Sequence, residues 1–174
     1  MATDLESLFG GSKKSGPKSL IDAYSKFPGK LDLAVEKLTE SKLKWKPNPK
    51  QFSIREMICH LVDMESVAVA NMNVMIAAPA EHPPTLLEFD TMTLAERYSY
   101  NSQDEQLAML SLKYARRYMT EILKSLPETL FEKSGTDAKG KRLTVSEVLS
   151  EHNKHADKHL KEIERLKEEF KGHD

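Results

Sequence analysis

From Thr144 to Phe170 apolar residues recur in steps of three and four, and the rhythm continues where the side chains become polar. Val145 and Val148 lead through His152, His155 and His159 to Ile163, Leu166 and Phe170, so three of the chain's six histidines take core-facing positions. An amphipathic helix of this length has to bury its stripe against other helices. Imidazoles in such a seam need partners for their ring nitrogens, and the two sources are a metal ion and side chains on neighbouring turns.

Three further segments carry the same period. The first runs from Lys18 to about Thr39, with Leu20, Ile21, Tyr24, Phe27, Leu31, Ala34, Val35 and Leu38 on one face, and Pro28 inside it predicts a kink or a split. Trp45, Pro47, Asn48, Pro49 and Lys50 form a proline-punctuated connector, with Trp45 as a packing anchor. The second begins at Ser53-Ile54-Arg55-Glu56, which has capping-box spacing, and its stripe reads Met57, His60, Leu61, Met64, Ala68, Asn71, Met72 and Met75 up to about Ala78. The third spans about Ser102 to Leu126, with Leu107, Leu110, Ala115, Tyr118, Ile122 and Leu126 expected inward. Thr144-Val145-Ser146-Glu147 repeats the capping box at the start of the fourth.

These segments predict an all-α four-helix bundle. Residues Pro79 to Asn101, with Pro79, Pro83 and Pro84, are expected to form a long crossover with a short helix, which allows helices two and three to run parallel. Phe131 to Arg142 reads as a polar loop without a core element, and no strand-like alternation competes. The domain is expected over 18–170, between a flexible glycine- and lysine-containing leader at 1–17 and a short tail at 171–174.

Charge and cysteine content narrow the function. With 26 basic and 27 acidic side chains the net charge is −1, which disfavours nucleic-acid or anionic-lipid binding. Cys59 is the only cysteine, so an internal disulfide framework is excluded, and a reducing, cytoplasmic setting is the expectation. No apolar run reaches the ~18–20 residues of a transmembrane helix.

His155 and His159 are four apart and stack on one helix face at about 5–6 Å between Cβ atoms, within reach of one ion. A third ligand must come from another helix. His60 is the other histidine on a core stripe, since His82 lies among prolines and His173 is terminal. The expected set is His60, His155 and His159, a three-histidine zinc-type site with an open position for water or substrate. Against it stands a solvated surface made by His152, Lys154, Lys158 and Lys161. His152 is read as an alternative ligand, a group supporting the ligands, or a residue at the site mouth. Asp63, one turn from His60, either orients that imidazole or faces solvent. Cys59 points about 100° away from His60 and reads as a small core residue.

Phe52-Ser53-Ile54-Arg55-Glu56, His60-Leu61-Val62-Asp63 with Glu65 beyond it, and the late pair in His155-Ala156-Asp157-Lys158-His159 together resemble the DinB/YfiT-like four-helix-bundle family over about residues 18–168. Tyr24 with Pro28 and the Phe89-Asp90 region add to the likeness. The resemblance implies an up-down-down-up bundle, frequently dimeric, with a divalent ion, zinc or nickel, on His60, His155 and His159. Its reactions include thiol S-transfer, isomerisation and hydrolysis. Phe52 stands where tryptophan is usual, and Leu160-Lys161-Glu162-Ile163 departs from the family's turn after the last histidine; both bear on substrate more than on metal.

Two classes of function follow. In the first, a metalloenzyme activates water or a low-molecular-weight thiol, with Asp63, Glu56, Glu151 and Asp90 as candidate bases, and the lack of a carboxylate inside the histidine motif tilts the reading towards thiol transfer. In the second, a non-catalytic bundle binds a metal or small molecule in stress response, or dimerises through its helix faces.

Overall fold

The computed structural model describes residues 16–172, and the expected leader and the last tail residues fall largely outside that span. Six α-helices are present among the described residues: α1 (Pro17–Val35), α2 (Glu40–Lys44), α3 (Ile54–Ala77), α4 (Thr91–Arg97), α5 (Glu105–Ser125) and α6 (Val145–Glu169). The four long ones make the bundle. Each of α1 and α3 packs on both α5 and α6.

Two apolar layers give the direction of each helix. Leu20 from the start of α1 and Leu149 from the start of α6 pack with Met75 and Leu123, which come from the ends of α3 and α5. At the other end Leu31, Ile163 and Leu166 meet Ile54, Ile58 and Leu112. Helices α1 and α6 therefore run one way and α3 and α5 the other, the up-down-down-up order. That order requires the long connection from α3 to α5, because parallel neighbours cannot be joined by a hairpin turn. Among the described residues no helix is long and apolar enough to cross a membrane.

Both capping boxes form as the spacing predicts. The Ser53 hydroxyl accepts from the Glu56 amide while the Glu56 carboxylate accepts from the Ser53 amide, and Thr144 and Glu147 do the same for α6. Helix α5 is capped instead by Asp104, whose Oδ1 accepts from the amides of Gln106 and Leu107. Trp45 packs edge-on against Phe170 at 5.8 Å between ring centroids.

Four sequence expectations need correction. Pro28 does not divide the first segment: α1 continues through it and stops at Val35, where Lys37 takes a left-handed φ of 60°, and Thr39 then caps the separate α2. The α5 stripe is misphased, since Leu107, Leu110 and Tyr118 are 61%, 48% and 72% exposed. The buried row is Leu112, Arg116, Met119, Thr120 and Leu123, and a buried arginine and threonine disguise it as polar.

The third correction concerns the polar loop, which holds a small antiparallel hairpin of β1 (Ser134–Thr136) and β2 (Arg142–Thr144). Leu143 is buried in the layer of Leu20, Met75, Leu123 and Leu149. The crossover adds to this hairpin: the Leu86 amide donates to the Thr136 carbonyl at 2.8 Å and the Thr136 amide to the Pro84 carbonyl at 2.9 Å. Gly135 permits the approach, because a Cβ there would lie 2.4 Å from a Leu86 methyl. The fourth concerns His152, which is 6% exposed and therefore not at a site mouth.

Candidate metal centre

Capping at Ser53 places His60 on the side of α3 that meets α6, and α6 supplies His155 and His159 one turn apart. Their Nε2 atoms converge: His155 Nε2 lies 3.3 Å from His60 Nε2 and 3.0 Å from His159 Nε2. The rings stand nearly perpendicular in pairs, with centroids 4.5–5.1 Å apart. With metal–nitrogen bonds of about 2.0–2.1 Å, two imidazole nitrogens on a tetrahedral ion stand about 3.3 Å apart. The observed separations match one ion held by three nitrogens on one side. Three imidazoles cannot satisfy one another equally well, since each contact needs one N–H and one lone pair.

Electrostatics keep the lone pairs free. Burial, then the neighbouring His159 and His155, pushes the His60 pKa down to about 3. Burial followed by His159, His152 and Lys158 brings His155 to about 4, and burial lowers His159 as well, against an opposing pull from Glu162. Neutral imidazoles at neutral pH are the form a metal requires. The chemistry and spacing of the donor set thus fit a divalent ion.

The outer nitrogens are treated differently. Glu162 Oε2 lies 2.7 Å from His159 Nδ1, close but off the line that an aligned hydrogen bond requires. The Nδ1 atoms of His60 and His155 are buried without a protein partner. Phe52 packs against the His60 ring at 5.3 Å. Asp63, read as either orienting His60 or facing solvent, makes no hydrogen bond to that imidazole: its Oδ2 is buried and unpartnered, and desolvation raises its pKa.

His152 joins a different group. Its Nε2 is 2.8 Å from Glu65 Oε2 and 2.9 Å from Arg116 Nη2, and Arg116 Nε donates to Glu65 Oε2 at 2.7 Å. The Tyr24 hydroxyl donates to the other oxygen of Glu65. One residue from each long helix thus meets in a buried polar layer between the two apolar ones. Burial alone would raise the Glu65 pKa, but the bond with His152, the Arg116 charge and the Tyr24 hydroxyl outweigh it and hold the carboxylate ionised. Burial and the Glu65 carboxylate raise the Tyr24 pKa, so the phenol stays protonated. Of this layer the sequence marks His152 and Tyr24 on core stripes and Glu65 in the family-like segment; the available signal for Arg116 is its position in the row Leu112-Arg116-Met119-Leu123.

Three of the four candidate bases, Glu56, Asp90 and Glu151, have other partners. Glu56 closes the α3 capping box and pairs with Lys46 at 2.9 Å. Asp90 caps α4 and accepts from Thr93 Oγ1. Glu151 is an exposed partner of Lys141. Cys59 is buried, with Sγ 3.9 Å from the Tyr100 carbonyl, and burial followed by the Asp63 charge raises its thiol pKa to about 11.

Fold and site together define a bundle protein with a three-histidine cluster, and the sequence profile of the DinB superfamily matches residues 23–163. The chain belongs to that superfamily. Among solved structures its fold is similar to that of YfiT from Bacillus subtilis, described as a probable metal-dependent hydrolase with an unusual four-helix bundle topology. The two share 19% sequence identity with a TM-score of 0.81, covering 88% of this chain and 86% of that one. No curated protein gives a significant match.

Proposed function

We propose that this protein is a divalent-metal-dependent enzyme, with zinc or nickel held by His60, His155 and His159, acting on a small molecule through an activated thiol. The observation that carries the reading is the convergence of three imidazoles, with His155 Nε2 3.3 Å and 3.0 Å from those of His60 and His159 and a ligand nitrogen of each within 4.8 Å of the others. Three protein ligands leave a coordination position open, the arrangement of catalytic rather than structural sites. An ion bound there supplies Lewis-acid chemistry, lowering the proton affinity of a thiol or water in the open position.

The choice of thiol rests on the chain's own acids and bases. Hydrolysis by an activated water is helped by a carboxylate that moves the proton; Glu56, Asp90 and Glu151 are engaged in caps or ion pairs, and Asp63, unpartnered at Oδ2, lines a groove that none of the three histidines lines. A thiol held by such an ion would release its proton to solvent without needing that carboxylate. Hydrolase chemistry is the second reading, favoured by the description of YfiT.

Protein purified without a metal-affinity tag tests the proposal by elemental analysis, followed by a screen of low-molecular-weight thiols with electrophiles beside ester and amide substrates. Stoichiometric zinc or nickel, lost in His155→Ala, together with thiol-dependent turnover is the expected result. Turnover of esters or amides without thiol selects hydrolysis. Stoichiometric metal with no turnover in either arm selects a non-catalytic binding bundle, and absence of metal from the wild type ends the metalloenzyme reading.

A further inference from the structure

A second feature lies apart from the three histidines. A groove of about 510 Å3 runs between α3, the segment after α4 and the start of α5, and none of the clustered histidines lines it. Aromatic and acidic groups share its walls. Tyr98 and Tyr100 stand 6.2 Å apart between ring centroids with their planes tilted by 49°, and Tyr98 is exposed. Asp63 enters from α3 and Asp104 from the cap of α5. Among the described lining residues none is lysine, arginine or histidine.

The polar groups here have unused capacity. Asp104 commits Oδ1 to the amides of Gln106 and Leu107, and Asp63 Oδ2 has no hydrogen-bond partner. Tyr100 is only 4% exposed, yet its hydroxyl has no partner either. Arg55, on the adjoining turn of α3, is held by Glu40 and Glu105 and does not line the groove.

We propose that this groove binds a small organic ammonium ion, packed against the Tyr98 ring and facing the Asp63 and Asp104 carboxylates. An aromatic face attracts a cation through its quadrupole, and two carboxylates without a competing base reinforce the sign. A bare divalent ion fits less well, because calcium-type sites need six or more oxygens and magnesium holds its water tightly. The proposal is independent of the metal centre.

Amide chemical shifts of the full chain report binding during titration with choline chloride and, at matched ionic strength, with its uncharged carbon isostere 3,3-dimethylbutan-1-ol. Choline is expected to give saturable shifts centred on residues 59–63 and 98–104, with the isostere at least about fivefold weaker. Tyr98→Ala, at an exposed position that leaves the core intact, and Asp63→Asn, which keeps the side-chain shape, each weaken choline by about fivefold, whereas Tyr98→Phe retains binding. Equal affinity for choline and the isostere, shifts that do not saturate or lie elsewhere, or wild-type affinity in both Tyr98→Ala and Asp63→Asn overturns the proposal.

Discussion

Arg116 donates from Nη1 to the backbone carbonyl of Tyr24, the acceptor that Pro28, four residues on and lacking an amide proton, leaves without its helical partner. The proline and the buried arginine are thus matched across two helices. Its guanidinium also lies 4.6 Å from the Tyr24 ring centroid and 4.4 Å from that of Phe27. Arg116→Met removes these contacts and leaves the Glu65 charge buried without its cation. The expected loss of stability is about 3–5 kcal/mol, read from urea unfolding. Adding Glu65→Gln to Arg116→Met should recover part of that loss, because it removes the stranded charge. Strict additivity in this double-mutant cycle would show that the two groups are not coupled.

The fold was largely legible because two capping boxes and the helical period survive into the structure, and His60, His155 and His159 could be drawn together from stripes on two helices. Arg116 was not legible in the same way. Its charge looks like a surface mark until Glu65, His152 and the free carbonyl of Tyr24 are brought to it by three other helices. The same residue threw off the α5 phase, which favoured the exposed Leu107 and Leu110 over the true core row. The hairpin escaped because three-residue strands carry no readable alternation, and its contact with the crossover depends on Gly135 letting Leu86 approach.

Metal and fold should be linked in solution. An ion that binds only the native histidine cluster stabilises it by about 2.7 kcal/mol at a hundredfold excess over its dissociation constant. Chelator-treated protein is therefore expected to melt several degrees lower than protein with added zinc or nickel. His60→Ala, His155→Ala and His159→Ala should each abolish most of that difference. A zinc-induced shift that persists undiminished in all three variants would assign the binding elsewhere.

The metal-free protein should lose stability on mild acidification. The folded pKa values of about 3 for His60 and about 4 for His155 lie below the ordinary value of 6.5. Between those limits the unfolded chain binds more protons than the folded one, so stability is full above about 6.5 and falls as pH drops towards the folded values. Glu65 adds a separate loss at lower pH, because its folded pKa is also depressed, from an ordinary 4.5. Thermal melts of chelated protein between pH 7 and about 4 check this, and His60→Gln should flatten the slope. A midpoint that stays level across this range in the wild type would contradict the burial of neutral imidazoles.

Glu162 should tune the affinity of the centre without holding the ion itself. It follows His159 by one short helical step, and its carboxylate lies 2.7 Å from Nδ1, on the far side of the ring from the converging Nε2 atoms. A carboxylate at that edge favours the tautomer that leaves Nε2 free and makes it a stronger donor. The side chain is about one-third exposed, so its removal opens no cavity in the core. Glu162→Ala is expected to weaken metal binding by roughly 10–100-fold, measured by competition with a chelator, while the melting temperature of the metal-free form changes little. Glu162→Gln, which keeps a hydrogen-bond acceptor but removes the charge, should fall between the two. Unchanged metal affinity in Glu162→Ala would reduce the carboxylate to a surface neighbour, and an equal loss in both variants would assign its effect to charge alone.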